Sequence, residues 1–163
     1  ETTGDVHDRM MHLGAEAVVE TVQRIAEGNA PRIPQDHAEA TPAPKVHAED
    51  ADIPWADAAA VVHNHIRGLS PIPGAWTLHG DTRLKVYRSH RLDDAPAKAA
   101  DAAPGTVLTT DGALHVACGT GAVALDMIQQ PGKQRLAAAD FVNGYTISPG
   151  DVLASTSTAS VVA

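Results

Sequence analysis

Apolar residues recur at three- and four-residue steps along the first part of the chain: Val6, Met10, Leu13, Ala17, Val18, Val22 and Ile25. That period predicts a helix over residues 3–28 with a single apolar stripe. Thr2-Thr3-Gly4-Asp5 gives a capping-box-like start whose early acid suits the helix dipole, and Gly28-Asn29 supplies the stop. The stripe needs a surface to pack on, and the first 57 residues offer none. Pro31, Pro34, Pro42 and Pro44 then break all periodicity, so residues 29–53 read as a linker. A second helix is expected over 55–68, with Pro54 at or near its first turn and Ala58, Val61, Val62, His65, Ile66 and Leu69 facing inward.

After Ser70-Pro-Ile-Pro-Gly74 the period changes from helical to two. Short alternating strands are expected at about 75–80, 83–91, 105–110, 113–118 and 121–128. Turns at Gly80-Asp81, Asp111-Gly112 and Gly119-Thr120-Gly121 separate them. Ala95–Ala103 reads as an Ala/Pro-rich loop. Residues 128–144 read as a strand end, a Pro131-Gly132 turn and a short helix closed by Asn143-Gly144. Five short antiparallel strands in this space imply a small barrel over 54–153. The Ser/Thr-rich stretch that follows is expected to be a disordered tail over 154–163.

Composition narrows this picture. At 163 residues there is room for one domain or slightly more, and with two Trp, two Tyr and one Phe the core must be aliphatic. No stretch approaches the roughly 18 apolar residues of a membrane span, and the acidic start does not resemble a signal peptide. The single cysteine, Cys118, excludes an internal disulfide and suits a reducing cytoplasm. The formal charge of −8 lies entirely in one region. Residues 1–57 carry 4 Lys/Arg against 12 Asp/Glu, and residues 58–163 carry 8 of each. The later part can therefore present a basic face to a polyanion despite the net charge.

Two segments suit that role. In Arg83-Leu-Lys-Val-Tyr-Arg-Ser-His-Arg91, period two puts Leu84 and Val86 on one face and Arg83, Lys85, Tyr87 and Arg91 on the other, a row of cations suited to phosphates. In Gln130-Pro-Gly-Lys-Gln-Arg135 a turn exposes backbone N–H groups beside Lys133 and Arg135. Few rings means few platforms for unstacked bases, so folded RNA read by shape and phosphates fits better. Nine histidines invite a metal reading, but His63 and His65 point to opposite helix faces, and no His or Cys ligand motif occurs. His65 is expected half-buried and His63 exposed. Gly119-Thr120-Gly121 reads as a hairpin turn and not a dinucleotide site. Cys118 reads as a small hydrophobe.

These segments, in this order, resemble the methionyl-tRNA formyltransferase family. The resemblance runs from Glu1-Thr-Thr-Gly4 and His7-Asp-Arg9 through Ala43-Pro-Lys45, Glu49-Asp50 and Ile53-Pro-Trp55. It continues through Ile66-Arg67, Pro71-Ile-Pro-Gly-Ala-Trp76, Arg83-Leu-Lys-Val86, Gln130-Pro-Gly-Lys133, Asp140-Phe141 and Asn143-Gly144. It implies an α+β chain: a small antiparallel OB-like β-barrel, the formyltransferase C-terminal domain, over 54–153. Ahead of it come the linker at 29–53 and, at 1–28, a helix left over from a Rossmann-like catalytic domain. It implies a one-carbon transferase, moving a formyl group from 10-formyltetrahydrofolate to the amino group of initiator Met-tRNA in translation initiation. The family's catalytic Asn, His and Asp would lie upstream of Glu1. This portion is thus expected to hold no catalytic, cofactor-binding or metal residue and to be inactive alone. Contact with tRNA is expected from Lys45, Arg83, Lys85, Arg91, Lys133 and Arg135, with Arg88 as a further candidate. A cytoplasmic monomer using neither DNA nor membrane is expected. The chain departs from the family at Pro54, where Asp is usual, and in a linker that keeps Lys45 among acids. Alternative readings are a sugar-nucleotide formyltransferase of the same architecture and a non-catalytic OB-like binding module.

Overall fold

The computed structural model describes residues 1–94 and 97–156. Helix α1 runs Thr3–Ala26, and its start is a complete capping box. The Thr2 hydroxyl accepts from the Asp5 amide while the Asp5 carboxylate accepts from the Thr2 amide. None of its residues is buried, and Met10, Leu13, Val18, Val22 and Ile25 are 59–63% exposed. The unpartnered stripe expected from the sequence is therefore present. Its first turn is bonded to the barrel. The Thr3 hydroxyl donates to Gly68 O at 2.6 Å, the Gly4 amide to Ser70 O at 2.9 Å, and Arg88 pairs with Asp5 at 3.2 Å.

The linker ends earlier than Pro54. From Ala48 the chain already belongs to the barrel. Asp52 bridges Trp76, the Ile53 amide donates to Trp76 O at 2.9 Å, and Ile53 and Trp55 are buried. The indole N–H of Trp55 donates to Thr77 Oγ1, which donates on to Ala154 O, each at 2.9 Å. Helix α2 consequently begins later than its apolar pattern suggests, at Ala59–Gly68, because Trp55 is spent as a core residue. It buries Ala59, Val62 and Ile66 on the sheet.

Among the described residues seven strands form one antiparallel sheet: β1 (Ala75–His79), β2 (Thr82–Arg91), β3 (Val107–Thr109), β4 (Leu114–Ala117), β5 (Ala122–Gln129), β6 (Arg135–Ala137) and β7 (Leu153–Ala154). Their order is β3-β4-β5-β2-β1-β7, with β6 pairing β5. The expected loop at 95–103 contains a short helix, α3 (Ala97–Asp101), and α4 covers Ala138–Gly144 with Phe141 buried. The two edges of the sheet meet where Thr106 bridges Val152, where the Val107 amide donates to Asp151 O and the Leu153 amide to Gly105 O, each at 2.8 Å. That contact rolls the sheet into a nearly closed barrel. Gly105 sits there at φ +86°, against the Leu153 carbonyl, where a side chain would collide. The core is aliphatic as composition required, built on Ile53, Val62, Ile66, Leu84, Val86, Leu114, Val116, Leu125 and Ile128.

Strands β6 and β7 are not expected from the sequence pattern. With three and two residues they are too short to show alternation. The tail also starts later than residue 154. Ala154 lies in β7, Ser155 is buried, and Ser155 and Thr156 hydroxyls donate to Asp52 at 2.9 and 2.6 Å. The remainder of that expected tail, 157–163, lies outside the described residues. No helix among the described residues is long and apolar enough to cross a membrane.

The Gly119-Thr120-Gly121 turn joins β4 to β5 as expected, and it also seats the start of α2. The Gly119 amide donates to Trp55 O and Asp57 O, at 2.9 and 2.8 Å, and a side chain at 119 would overlap the Ala56 carbonyl. Cys118 is buried in the core, which pushes its thiol pKa up to about 12, so it packs as a hydrophobe. His65 is half-buried as expected, and His63 is half-buried rather than exposed, with its ring 3.1 Å from Ser89 Oγ. Burial lowers the pKa of His63, His65 and His115; Arg67 adds to the effect at His63 and His90 at His115.

Two outcomes follow for stability. Gly119→Ala should destabilise the chain by about 1–3 kcal/mol, the range for overpacked sites, read from the urea midpoint. An unchanged midpoint would show that the turn can leave the Ala56 carbonyl. Because the three histidines bind protons less readily folded than unfolded, their stabilisation is full above about pH 6.5. It is lost as pH falls from there toward their lowered folded values. The melting temperature should thus be lower at pH 5.5 than at pH 7.5, and His65→Gln should remove part of that drop.

Candidate nucleic-acid interface

Strand pairing brings four residues from four strands into one outward row. Trp76 of β1 pairs Lys85 of β2, Lys85 pairs Gln129 of β5, and Gln129 pairs Arg135 of β6. Paired residues share a sheet face, so these side chains stand together. The adjacent row, Ala75, Val86, Ile128 and Leu136, packs into or against the core. Arg83 precedes Lys85 by one period and joins the outer face, its guanidinium 3.9 Å from the centre of the Trp76 ring.

On the other side of Lys85, the guanidinium of Arg135 lies 3.8 Å from the centre of the Tyr87 ring. Such stacks are worth about 0.5–1 kcal/mol at exposed sites and hold the guanidinium in a fixed plane. The Tyr87 hydroxyl donates to Gln129 Oε1, and Gln129 Nε2 donates to the Lys133 carbonyl, both at 2.6 Å. The Lys133 amide closes the turn on Gln130 O at 3.1 Å. Lys85 Nζ donates to Pro73 O at 2.8 Å. Arg83, Lys85, Gln129, Gln130, Pro131 and Gly132 together line a shallow cavity of about 190 Å³. The fold therefore unites the two cationic segments that the sequence held 40-odd residues apart, as the Tyr87–Gln129 bond shows (a separation of 42).

The other candidates stand elsewhere. Arg91 does not extend the row. The β2–β5 register shifts between Val86 and Arg88 and again between Arg88 and Ser89. The two shifts offset each other, so the ladder regains the pairing it had at Lys85 but with Arg91 opposite Val123, a core residue, and the charge of Arg91 acts on His63 of α2. Arg88 is the partner of Asp5 in α1, whose carboxyl the capping-box bonds from Thr2, with a smaller share from Arg88, hold below its usual pKa. Lys45 is exposed in the segment leading to Ala48, whose carbonyl accepts from the Trp76 indole at 3.0 Å.

Trp76 and Gln130 belong to segments that carry the family resemblance, but neither they nor Gln129 are among the expected tRNA contacts. Trp76 was within reach: a two-residue hairpin at Gly80-Asp81 sets 76 opposite 85. Gln129 needs the long-range β2–β5 pairing and carried no local signal. The outer face holds two of the chain's five Trp, Tyr and Phe rings, yet Trp76 is 5% and Tyr87 4% exposed. Both rings are covered by arginine, which leaves charged forks at the surface and no free stacking platform. Among the described residues no three His, Cys, Asp or Glu side chains converge as a metal site.

A family model described as the formyl transferase C-terminal domain matches residues 45–146. The methionyl-tRNA formyltransferase of Moorella thermoacetica is 41% identical over 152 residues, covering 93% of this chain and 48% of that protein. That of Roseobacter denitrificans is 43% identical over 150 residues, covering 92% of this chain and 46% of that protein. The chain thus spans about half the length of the curated relatives it matches. Among solved structures, HypX from Aquifex aeolicus in complex with tetrahydrofolic acid is similar at a TM-score of 0.60 and 20% identity, over 85% of this chain and 26% of that one. At that identity the likeness is one of fold. A nearly closed antiparallel barrel and a family match over most of its length place the conclusion at the level of the domain: the chain belongs to the formyl transferase C-terminal domain family.

Proposed function

We propose that this chain is the tRNA-handling portion of a methionyl-tRNA formyltransferase. In that reaction the amino group of Met-tRNA attacks the formyl carbon of 10-formyltetrahydrofolate. A general base takes the amine proton and hydrogen-bond donors steady the oxyanion. Those roles are assigned to no residue of this chain, and neither is the folate. Its share is to hold initiator tRNA by the phosphate backbone while a catalytic domain acts at the aminoacyl end. The observation that carries this reading is the outward row, where Arg83, Lys85 and Arg135 gather on one face of an otherwise acidic chain, beside the turn that holds Lys133. The names of the curated relatives support the same substrate.

Binding of the chain to initiator tRNA is expected to be weak and salt-sensitive. Lys133→Glu together with Arg135→Glu should weaken it and reduce the slope of log K against log salt by about two, one per lost phosphate contact. An unchanged affinity and slope would make the turn ordinary surface. Supplied with 10-formyltetrahydrofolate and Met-tRNA, the purified 163-residue chain should show no formyl transfer; measurable turnover would overturn the division of labour proposed here.

A further inference from the structure

The cations of the outer face are held, and what holds them is not itself charged. Arginine and lysine carry long flexible stems, and fixing them on a ligand costs conformational freedom that lowers affinity. Here part of that ordering is already done in the free protein. Arg83 lies on Trp76 and Arg135 on Tyr87. The Trp76 indole is fixed at its edge by Ala48 O, and the Tyr87 ring at its hydroxyl by Gln129.

Gln129 is the link between the two cationic segments. Its amide spends both ends. Oε1 accepts from Tyr87 on β2, and Nε2 donates to the backbone of Lys133 in the turn. Rotating the amide by half a turn would set its oxygen against the Lys133 carbonyl, so the bonding pattern selects one orientation. The Pro131-Gly132 turn makes its own internal bond, Lys133 N to Gln130 O, but nothing in that bond aims it at the sheet. The β5–β6 ladder places Arg135, and the Tyr87–Gln129–Lys133 chain adds the side-chain tie that holds the turn at Lys133 to β2.

We infer that Tyr87 and Gln129 are positioning residues of the phosphate-binding face, juxtaposed so that the ring carries Arg135 and the amide carries the Lys133 turn. The inference rests on the tRNA-binding reading above and deepens it. It also names the chemistry recognised: the sugar–phosphate backbone of folded RNA, since both rings on the face lie beneath guanidinium groups and offer no surface for a base to stack on.

The test is binding of the 163-residue chain to initiator tRNA, with thermal midpoint measured alongside. Gln129→Ala should weaken binding about three- to tenfold, the effect of losing ordinary hydrogen bonds. The salt slope should be retained, because every charge is still present. Tyr87→Phe keeps the ring beneath Arg135 and should cost less than Gln129→Ala, while Tyr87→Leu should cost at least as much as either. In a background already carrying Lys133→Ala and Arg135→Ala, the further change Gln129→Ala should cost nothing. An equal loss in both backgrounds, or a lowered thermal midpoint with affinity unchanged, would overturn the inference and leave Gln129 a structural residue. Absence of any salt-sensitive binding by the unaltered chain would overturn the tRNA reading and this inference with it. That result differs from a tRNA that binds and ignores Gln129.

Discussion

The β2–β5 ladder is the constraint on which the rest of this structure depends. It is the long central pairing of the barrel, and it joins segments that no local signal connects. Its register decides which residues face the core and which face solvent. Before the register shifts, Leu84 and Val86 point inward and Arg83 and Lys85 outward. After them, Arg91 falls opposite a core position. Two offsetting register shifts around Arg88 therefore limit the cationic row to one end of the strand, where Tyr87 lies beneath Arg135. A slip of one residue in this ladder would turn the whole row inward.

The barrel is completed by segments that do not look like strands. Residues 48–55 run beside β1, insert Ile53 and Trp55 into the core, and meet the residues after β7 through Asp52, Ser155 and Thr156. The relay from the Trp55 indole through Thr77 to Ala154 satisfies polar groups that burial would otherwise leave costly. Two glycines let backbones approach at these closures: Gly119 under the Ala56 carbonyl and Gly105 under that of Leu153. The same strap fixes Trp76 through Ala48, so the support of Arg83 and the entry of the linker share one side chain.

Helix α1 has a different status. Its propensity and capping box define it locally, but an isolated helix gains little without burial of its apolar face. Among the described residues, its first turn is tied down by Thr3, Gly4 and Asp5 against the α2–β1 connection and Arg88. Those contacts set the direction in which the stripe leaves the barrel. They also explain why Arg88, although on the cationic strand, is engaged with a carboxylate.

The sequence by itself determined the elements whose periods are long enough to read: α1 with its exposed stripe, the alternating core strands, the hairpin turns, and the two clusters of cations. It determined the family, because an ordered set of short segments is a property of the chain and needs no contacts. It could also have yielded Trp76 opposite Lys85, since a two-residue turn dictates that pairing. What it left open depends on partners distant along the chain. Two- and three-residue strands such as β6 and β7 exist only because a neighbour supplies their hydrogen bonds. Trp55 reads as helical until the barrel claims it for the core. The pair of register shifts around Arg88 is a mismatch between two strands and has no signature in either alone. Tertiary structure alone decided that Arg83, Lys85 and Arg135 share a face while Arg91 does not. Register is a relation between segments, and its energy is realised only when both are packed.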